Sequence, residues 1–270
     1  ETYGSLSGRR ATDISSRYDH NTTGLILGFD RKIGPSLLLG GSFSYSYTRV
    51  DMKDLSEDAK IASYMGSLYG IWTKGRWYVN GIAGYAYNKY DTNREMSFGT
   101  ISRSADASYY GHLLAGYVEG GYRIKTTYAD IIPRVSLQAT RLWRDSFSED
   151  GAGALSLDAD REAISSYLGS LGVTVRKDYV TAAGVLSPEF RLRWDHEFSN
   201  DNHVLNASFS GYPVSAFTVT ADRPDRDRLA AGAGITWKTK GNLYLNLSYD
   251  GYFSNDTAQH SGMVGLQYKW

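Results

Sequence analysis

An apolar alternation with a period of two runs through this chain from end to end, and few architectures can use it. Leu243, Leu245, Leu247 and Tyr249 alternate with Tyr244, Asn246, Ser248 and Asp250. Leu229, Ala231, Ala233, Ile235 and Trp237 alternate with small or polar residues, as do Leu37, Leu39, Phe43, Tyr45 and Tyr47. A strand sends successive side chains to opposite faces, so each run builds one apolar wall and one polar or small wall. Twelve runs can be drawn, over 1–13, 19–33, 36–50, 60–73, 76–91, 107–124, 128–145, 163–178, 182–199, 226–239, 242–254 and 258–270. The first alternates least, because Ser5, Ser7, Arg9 and Arg10 dilute its apolar face. No helix longer than a turn or two and no solenoid repeat accompanies them.

Composition narrows the choice. The 270 residues carry 29 Lys+Arg against 29 Asp+Glu, so there is no basic excess to neutralise nucleic-acid phosphates. The absence of Cys removes disulfides, thiolate metal sites and cysteine catalysis. No run of about 18 apolar residues exists, so no transmembrane helix can be drawn. A transmembrane β-barrel hides its membrane face in alternation and survives that test. A barrel of this length forms a single domain, here 1–270. Glu1-Thr2-Tyr3-Gly4 does not read as a signal peptide, so a mature or excised domain is expected.

Connection lengths give an independent signal. The turns near Gly34-Pro35, Lys74-Gly75, Lys125-Thr126, Tyr179-Val180 and Lys240-Gly241 are short. Those over 51–59, 92–106, 146–162 and 200–225 are longer and rich in Asp, Glu, Ser, Arg and Gly. Outer-membrane barrels alternate in this way, with tight periplasmic turns and long surface loops. A soluble β-sandwich has no physical reason to. Trp72, Trp77, Tyr85, Tyr87, Trp143, Trp194, Trp237, Tyr249 and Trp270 fall near strand ends, where rings with a polar tip form girdles at the headgroup layer.

The polar wall is diagnostic. Over 185–198 one face carries Val185, Phe190, Leu192, Trp194 and Phe198, allowing a slip near Pro188. The other carries Glu189, Arg191, Arg193, Asp195 and Glu197. Five ionisable residues in succession do not fit an apolar core, where unpaired charge costs several kcal/mol per ion. They fit a wet lumen with mutual pairing, and Glu119, Arg123, Arg134, Arg176 and Asp250 are expected to join them. At the other end of the chain, Val264, Leu266, Tyr268 and Trp270 alternate with Met263, Gly265, Gln267 and Lys269. Such a strand can close the sheet against the first one, or be captured by an assembly machine through edge pairing.

In order along the chain come Gly24-Leu25-Ile26-Leu27-Gly28-Phe29-Asp30-Arg31, Leu38-Leu39-Gly40-Gly41, Trp77-Tyr78-Val79 and Glu119-Gly120-Gly121-Tyr122-Arg123. Phe147-Ser148-Glu149-Asp150-Gly151, Trp194-Asp195-His196-Glu197-Phe198, Asp225-Arg226-Asp227-Arg228, Gly232-Ala233-Gly234 and Tyr268-Lys269-Trp270 follow. In this order they resemble the C-terminal translocator β-domain of classical autotransporters, the type V secretion system of Gram-negative bacteria. The resemblance implies a 12-stranded antiparallel transmembrane β-barrel in the outer membrane, monomeric and without cofactor. It implies a lumen that holds a linker helix, an N-terminal passenger carried to the surface, and insertion by the barrel assembly machinery. The mixed charges of Asp222–Arg228 are expected to pair with each other or with lipopolysaccharide phosphates, and outer-membrane lipid is the remaining expected partner. Glu1–Arg10 already reads as strand, so passenger and linker are expected to be absent from the chain. Segment 200–225 is apolar enough to extend its neighbouring strands as a hairpin.

Enzyme motifs are weak. His20, His112, His196, His203 and His260 never show the two-His helical spacing of a zinc protease. Gly4-Ser5-Leu6-Ser7-Gly8 has Leu6 where a nucleophile elbow needs Ser. Asp158, Asp160 and Glu162 lack the Gly and ligand set of a calcium loop. No metal site is expected. An outer-membrane protease or phospholipase and a diffusion porin stay as rivals, separated by turnover and by bilayer conductance.

Overall fold

The computed structural model describes residues 2–9, 18–52, 57–199, 203–221, 225–255 and 257–269. Its barrel strands are β1 (Thr2–Arg9), β2 (Tyr18–Lys32), β3 (Leu37–Met52), β4 (Glu57–Lys74), β5 (Trp77–Phe98) and β6 (Ile101–Tyr122). They continue as β7 (Asp130–Arg144), β8 (Glu162–Arg176), β9 (Gly184–Glu197), β10 (Asp227–Thr239), β11 (Leu243–Phe253) and β12 (Thr257–Tyr268). The main sheet has fourteen strands; two of them, Ile124–Lys125 and Tyr179–Thr181, are short returns onto β7 and β9 at the turns. The other twelve form an antiparallel ring, each paired to its sequence neighbours, and β1 pairs β12 from Thr2↔Val264 to Arg9↔Thr257. Closure gives backbone groups partners that hydrocarbon cannot supply.

The ring is apolar outside and polar inside. Phe29, Leu68 and Phe190 are 73%, 74% and 67% exposed, whereas Asp195 is 0% and Glu119 7% exposed. Asn88, Ser136, Ser170, Thr174, Ser187 and Ser248 are also buried, on the same enclosed face. On β5 the outer face reads Trp77, Val79, Gly81, Ala83, Tyr85 and Tyr87, then Lys89, Asp91 and Asn93. At ~3.3 Å per residue and a tilt near 40°, the apolar part spans ~25 Å, the height of an outer-membrane barrel's lipid band.

Several expectations change. Residues 92–106 are not a loop: β5 and β6 continue to Phe98 and from Ile101, joined by the two-residue turn Gly99-Thr100. Above the membrane the outer face meets water and the inner face meets the 145–161 connection, so the ladder persists after the apolar alternation has ended. Gly75 and Gly99, with φ of 64° and 59°, occupy the left-handed first position of their two-residue turns. The 51–59 connection shrinks to the gap between Met52 and Glu57. Pairing between β9 and β10 runs from Gly184↔Thr239 to His196↔Asp227 without a slip at Pro188. Leu186, not Val185, therefore continues the outward set of Phe190, Leu192 and Trp194. Trp270 and residues 10–13 lie outside the described residues.

The hairpin within 200–225 forms, as His203–Phe209 and Tyr212–Ala221, but it does not prolong β9 and β10. It joins Leu157–Ala159 and Phe147–Ser148 in a separate four-stranded sheet at the long-connection end. Hydrogen bonds from Ser148 and Ser210 hold the Asp158 carboxyl below its usual range, with Ser210 Oγ donating at 2.8 Å. A depressed carboxylate pKa contributes stability above the unfolded value, and the contribution is lost as pH falls through the folded one.

Two measurements follow from this architecture. Hydrogen exchange, corrected for intrinsic rates, is expected to show protection of 203–209 falling on acidification below about pH 4, with a flatter response in Asp158→Asn. Gly121 lies under the Tyr78 ring, which a Cβ there would overlap. Gly121→Val is expected to destabilise the barrel by about 1–3 kcal/mol, read as a lower urea midpoint of the refolded domain in micelles.

Candidate functional site

The enclosed face of the ring is the candidate site. At its lower part, near the short turns, Arg134 Nη1 on β7 lies 3.3 Å from Glu119 Oε2 on β6. Tyr78 and Tyr117 hydroxyls each donate to the same carboxylate at 2.8 Å. Glu119 is thus charge-compensated and hydrogen-bonded on both oxygens, the condition for keeping a carboxylate buried.

A second group crosses three strands. Arg191 on β9 reaches over β10 to Asp250 on β11, with Nε and Nη2 bonds of 3.2 and 3.0 Å, and it also pairs with Glu189. The strand between contributes Gly232 and Gly234, and a Cβ at Gly232 would collide with the Asp250 carboxylate. Gly232-Ala233-Gly234 therefore clears the path for a bidentate Arg–carboxylate pair. Further up β9, Arg193 Nη2 donates to Asp195 Oδ2 at 3.0 Å, and the Arg193 guanidinium lies 5.4 Å from the Tyr252 ring centroid. Glu197 is held differently: it accepts hydrogen bonds from Ser166 Oγ at 2.5 Å, Tyr167 N at 2.7 Å and Ser199 N at 2.9 Å. The run Glu189, Arg191, Arg193, Asp195 and Glu197 thus divides into two ion-paired groups and one strand-end cap.

Arg123 and Arg176 stand apart from these groups. Arg123 follows β6 and approaches Asp130 at 3.7 Å; Arg176 ends β8 and bonds Asp178 at 3.2 Å. Both sit at the short-turn mouth. Val264, Leu266 and Tyr268 point outward on β12, 56%, 62% and 58% exposed.

Sequence reasoning missed the upper part of this face. Arg144 pairs with Glu162 at 2.8 Å and lies over the stacked rings of Tyr109 and Phe147, whose centroids are 4.3 Å apart. Arg94 binds Glu149 through Nε and Nη2 at 3.1 and 2.5 Å, and Leu155 O at 3.1 Å. These contacts draw the 145–161 connection against the inner side of the extended β5–β6 hairpin. Parity marks Tyr109 and Arg144 as inward within the runs 107–124 and 128–145, but Arg94 only if β5 is taken beyond residue 91. Asp158, Asp160 and Glu162 do not converge: Asp158 accepts from Ser210, while Glu162 binds Arg144. Among the described residues no group of three His, Asp or Glu could hold a metal.

The autotransporter beta-domain family matches residues 1–250. An extracellular serine protease of Serratia marcescens is 24% identical over 267 residues, covering 99% of this chain and 25% of that protein. Esterase EstA of Pseudomonas aeruginosa is 26% identical over 260 residues, covering 94% of this chain and 40% of that protein. The chain therefore spans a quarter to two fifths of the length of these relatives. In structure, the translocator domain of autotransporter NalP from Neisseria meningitidis superposes with a TM-score of 0.80 at 18% identity, over all of this chain and 86% of that one. The beta domain of the Bordetella autotransporter BrkA gives 0.68 at 20% identity, over all of this chain and 98% of that one.

The pairing geometry makes an ordered prediction. Asp195→Ala leaves the half-buried Arg193 without its carboxylate partner, and is expected to destabilise the barrel by about 1.5–3 kcal/mol in urea titration. Lys89→Ala breaks the pair with Asp91, whose side chains are 43% and 48% exposed. That change is expected to alter stability by less than about 1 kcal/mol.

Proposed function

The chain belongs to the autotransporter β-domain family, and we propose that its barrel is the anchor through which a longer precursor carries an N-terminal passenger to the cell surface. The domain is an outer-membrane translocator, and such a translocator domain is not itself catalytic. Protease and esterase are names of the longer relatives; we assign this barrel no reaction and no cofactor. Residues 1–270 act as one domain in this reading.

The observation that carries it is a closed ring whose enclosed charges already satisfy one another. Glu119 with Arg134, Arg191 with Glu189 and Asp250, and Arg193 with Asp195 present hydrogen-bonding surface but little unpaired charge. A linker helix or extended chain can lie against such a wall and still leave, because these paired ions do not need it as a partner. Glu197 completes the lining, with Arg123 and Arg176 at the periplasmic mouth. A sorting role falls to Val264, Leu266, Tyr268 and Trp270, the strand through which the barrel assembly machinery would capture the chain by edge pairing. Outer-membrane lipid covers the outer wall, lipopolysaccharide is its partner in the outer leaflet, and the barrel works as a monomer.

The test fuses a reporter and a linker ahead of Glu1 and expresses the fusion in a Gram-negative host. External protease is expected to digest the reporter on intact cells, and removal of β12 is expected to abolish both display and heat-modifiable folding. A reporter that stays protected in the periplasm beneath a correctly folded barrel would contradict the reading.

A further inference from the structure

The outer wall carries a feature that anchoring alone does not require. Six positions on consecutive strands form one register row: Phe43↔Gly66, Gly66↔Tyr85, Tyr85↔Leu114, Leu114↔Arg141 and Arg141↔Ser165. Because barrel strands tilt, a row at right angles to them climbs the wall. It starts in the apolar band, passes Arg141 near the upper end of β7 and below Trp143, and ends at Ser165.

The lower part of the row is a groove of about 780 Å³. Its floor is glycine and alanine, at Gly41, Gly66 and Ala83, and its walls are Phe29, Phe43, Leu68 and Leu114. A Cβ at Gly66 would meet nothing within 4 Å, so the missing side chains leave a depression. A trough of this shape takes an acyl chain more closely than a smooth wall does, since dispersion contacts are lost across any gap.

At the top of the groove the chemistry changes. Arg141 is exposed on the outward face and has no ion pair or hydrogen bond among the described residues. Its guanidinium lies 5.5 Å from the Trp143 ring centroid. Its register partners, Leu114 and Ser165, carry no charge. Beside it on β6, His112 Nδ1 shares a 2.6 Å hydrogen bond with the Tyr85 hydroxyl, which fixes the ring at the head of the groove. A cation on the lipid-facing wall is costly without an anion, and a planar guanidinium suits the oxygens of a phosphate.

We propose that this row is a binding site for one lipid A molecule of the outer leaflet, an acyl chain in the glycine-floored groove and a phosphate on Arg141. The long-connection end of the barrel faces the cell surface, so Arg141 meets the leaflet that lipopolysaccharide occupies in a Gram-negative outer membrane. A phosphate monoester there offers Arg141 two oxygens and up to two negative charges, more than the single charge of a phospholipid diester. The inference rests on the outer-membrane barrel reading. Heat-modified gel mobility of each variant reports barrel folding separately from lipid binding, so failure of the site and failure of the barrel give different results.

The test uses native mass spectrometry of the purified 270-residue barrel in mild detergent, titrated with hexa-acylated diphosphoryl lipid A or with phosphatidylglycerol. The wild type is expected to retain one lipid A, and to hold phosphatidylglycerol about tenfold more weakly. Arg141→Gln is expected to weaken lipid A retention about tenfold, with Arg141→Lys in between. Gly66→Leu fills the groove without touching the fold, and is expected to weaken retention to a similar degree. Lys74→Gln, at the opposite rim, is expected to change nothing. Unchanged retention by both folded Arg141→Gln and folded Gly66→Leu overturns the proposal. Equal retention of phosphatidylglycerol by the wild type overturns the commitment to lipid A.

Discussion

Hydrocarbon offers no hydrogen-bond partner, and that absence governs the rest of this molecule. A strand in such a medium must pair on both edges, so the sheet can stop only by meeting itself. The β1–β12 seam, Thr2↔Val264 through Arg9↔Thr257, performs that closure. Once the ring is closed, the usual logic of burial reverses. Phe29, Leu68 and Phe190 face outward, because the hydrophobic surroundings are outside. Ser136, Ser187 and Asp195 are the residues removed from solvent.

An enclosed polar face brings its own constraint, since charges in a narrow space must be compensated. The structure does this locally and across strands. Arg191 and Asp250 sit on strands that are not neighbours, and their contact exists because Gly232 and Gly234 take up no room between them. Glu119 gathers Arg134, Tyr78 and Tyr117 around one carboxylate. The wall is consequently ionic in composition yet nearly neutral in the field it offers. A conduit for a polypeptide benefits from that combination, because strong unpaired charge would hold segments of opposite sign.

The long-connection end obeys different physics. There β5 and β6 leave the bilayer as a ladder with water on its outer side, and the 145–161 connection packs onto the inner side through Arg94, Arg144 and Phe147. The hairpin over 203–221 belongs to a small sheet of its own. The length of the ladder and the sheet to which the hairpin belongs, though not the hairpin itself, escape a reading based on alternation. Thr92, Asn93, Arg94 and Glu95 carry no apolar beat, and their strand character comes from the ladder beneath them. Pairing between Leu157–Ala159 and His203–Phe209 joins segments more than forty residues apart, which no local pattern records.

What the sequence determined by itself was the repeat of twelve strands and the inward and outward sets within the membrane, whereas two of the four long connections it suggested, 51–59 and 92–106, proved to be largely strand. The repeat and the two sets follow from the pleat and from the lipid, which act on every residue independently of its distant neighbours. The identity of the polar wall on β9 was legible for the same reason, apart from Val185, where an imagined slip at Pro188 replaced a continuous register. Tertiary structure alone decided which charge meets which: Arg191 with Asp250, Arg94 with Glu149, Glu197 with the Ser166 hydroxyl and two backbone amides. Such partners are chosen by strand register, by tilt and by the space that glycines leave. These are properties of the closed ring, and no single strand carries them.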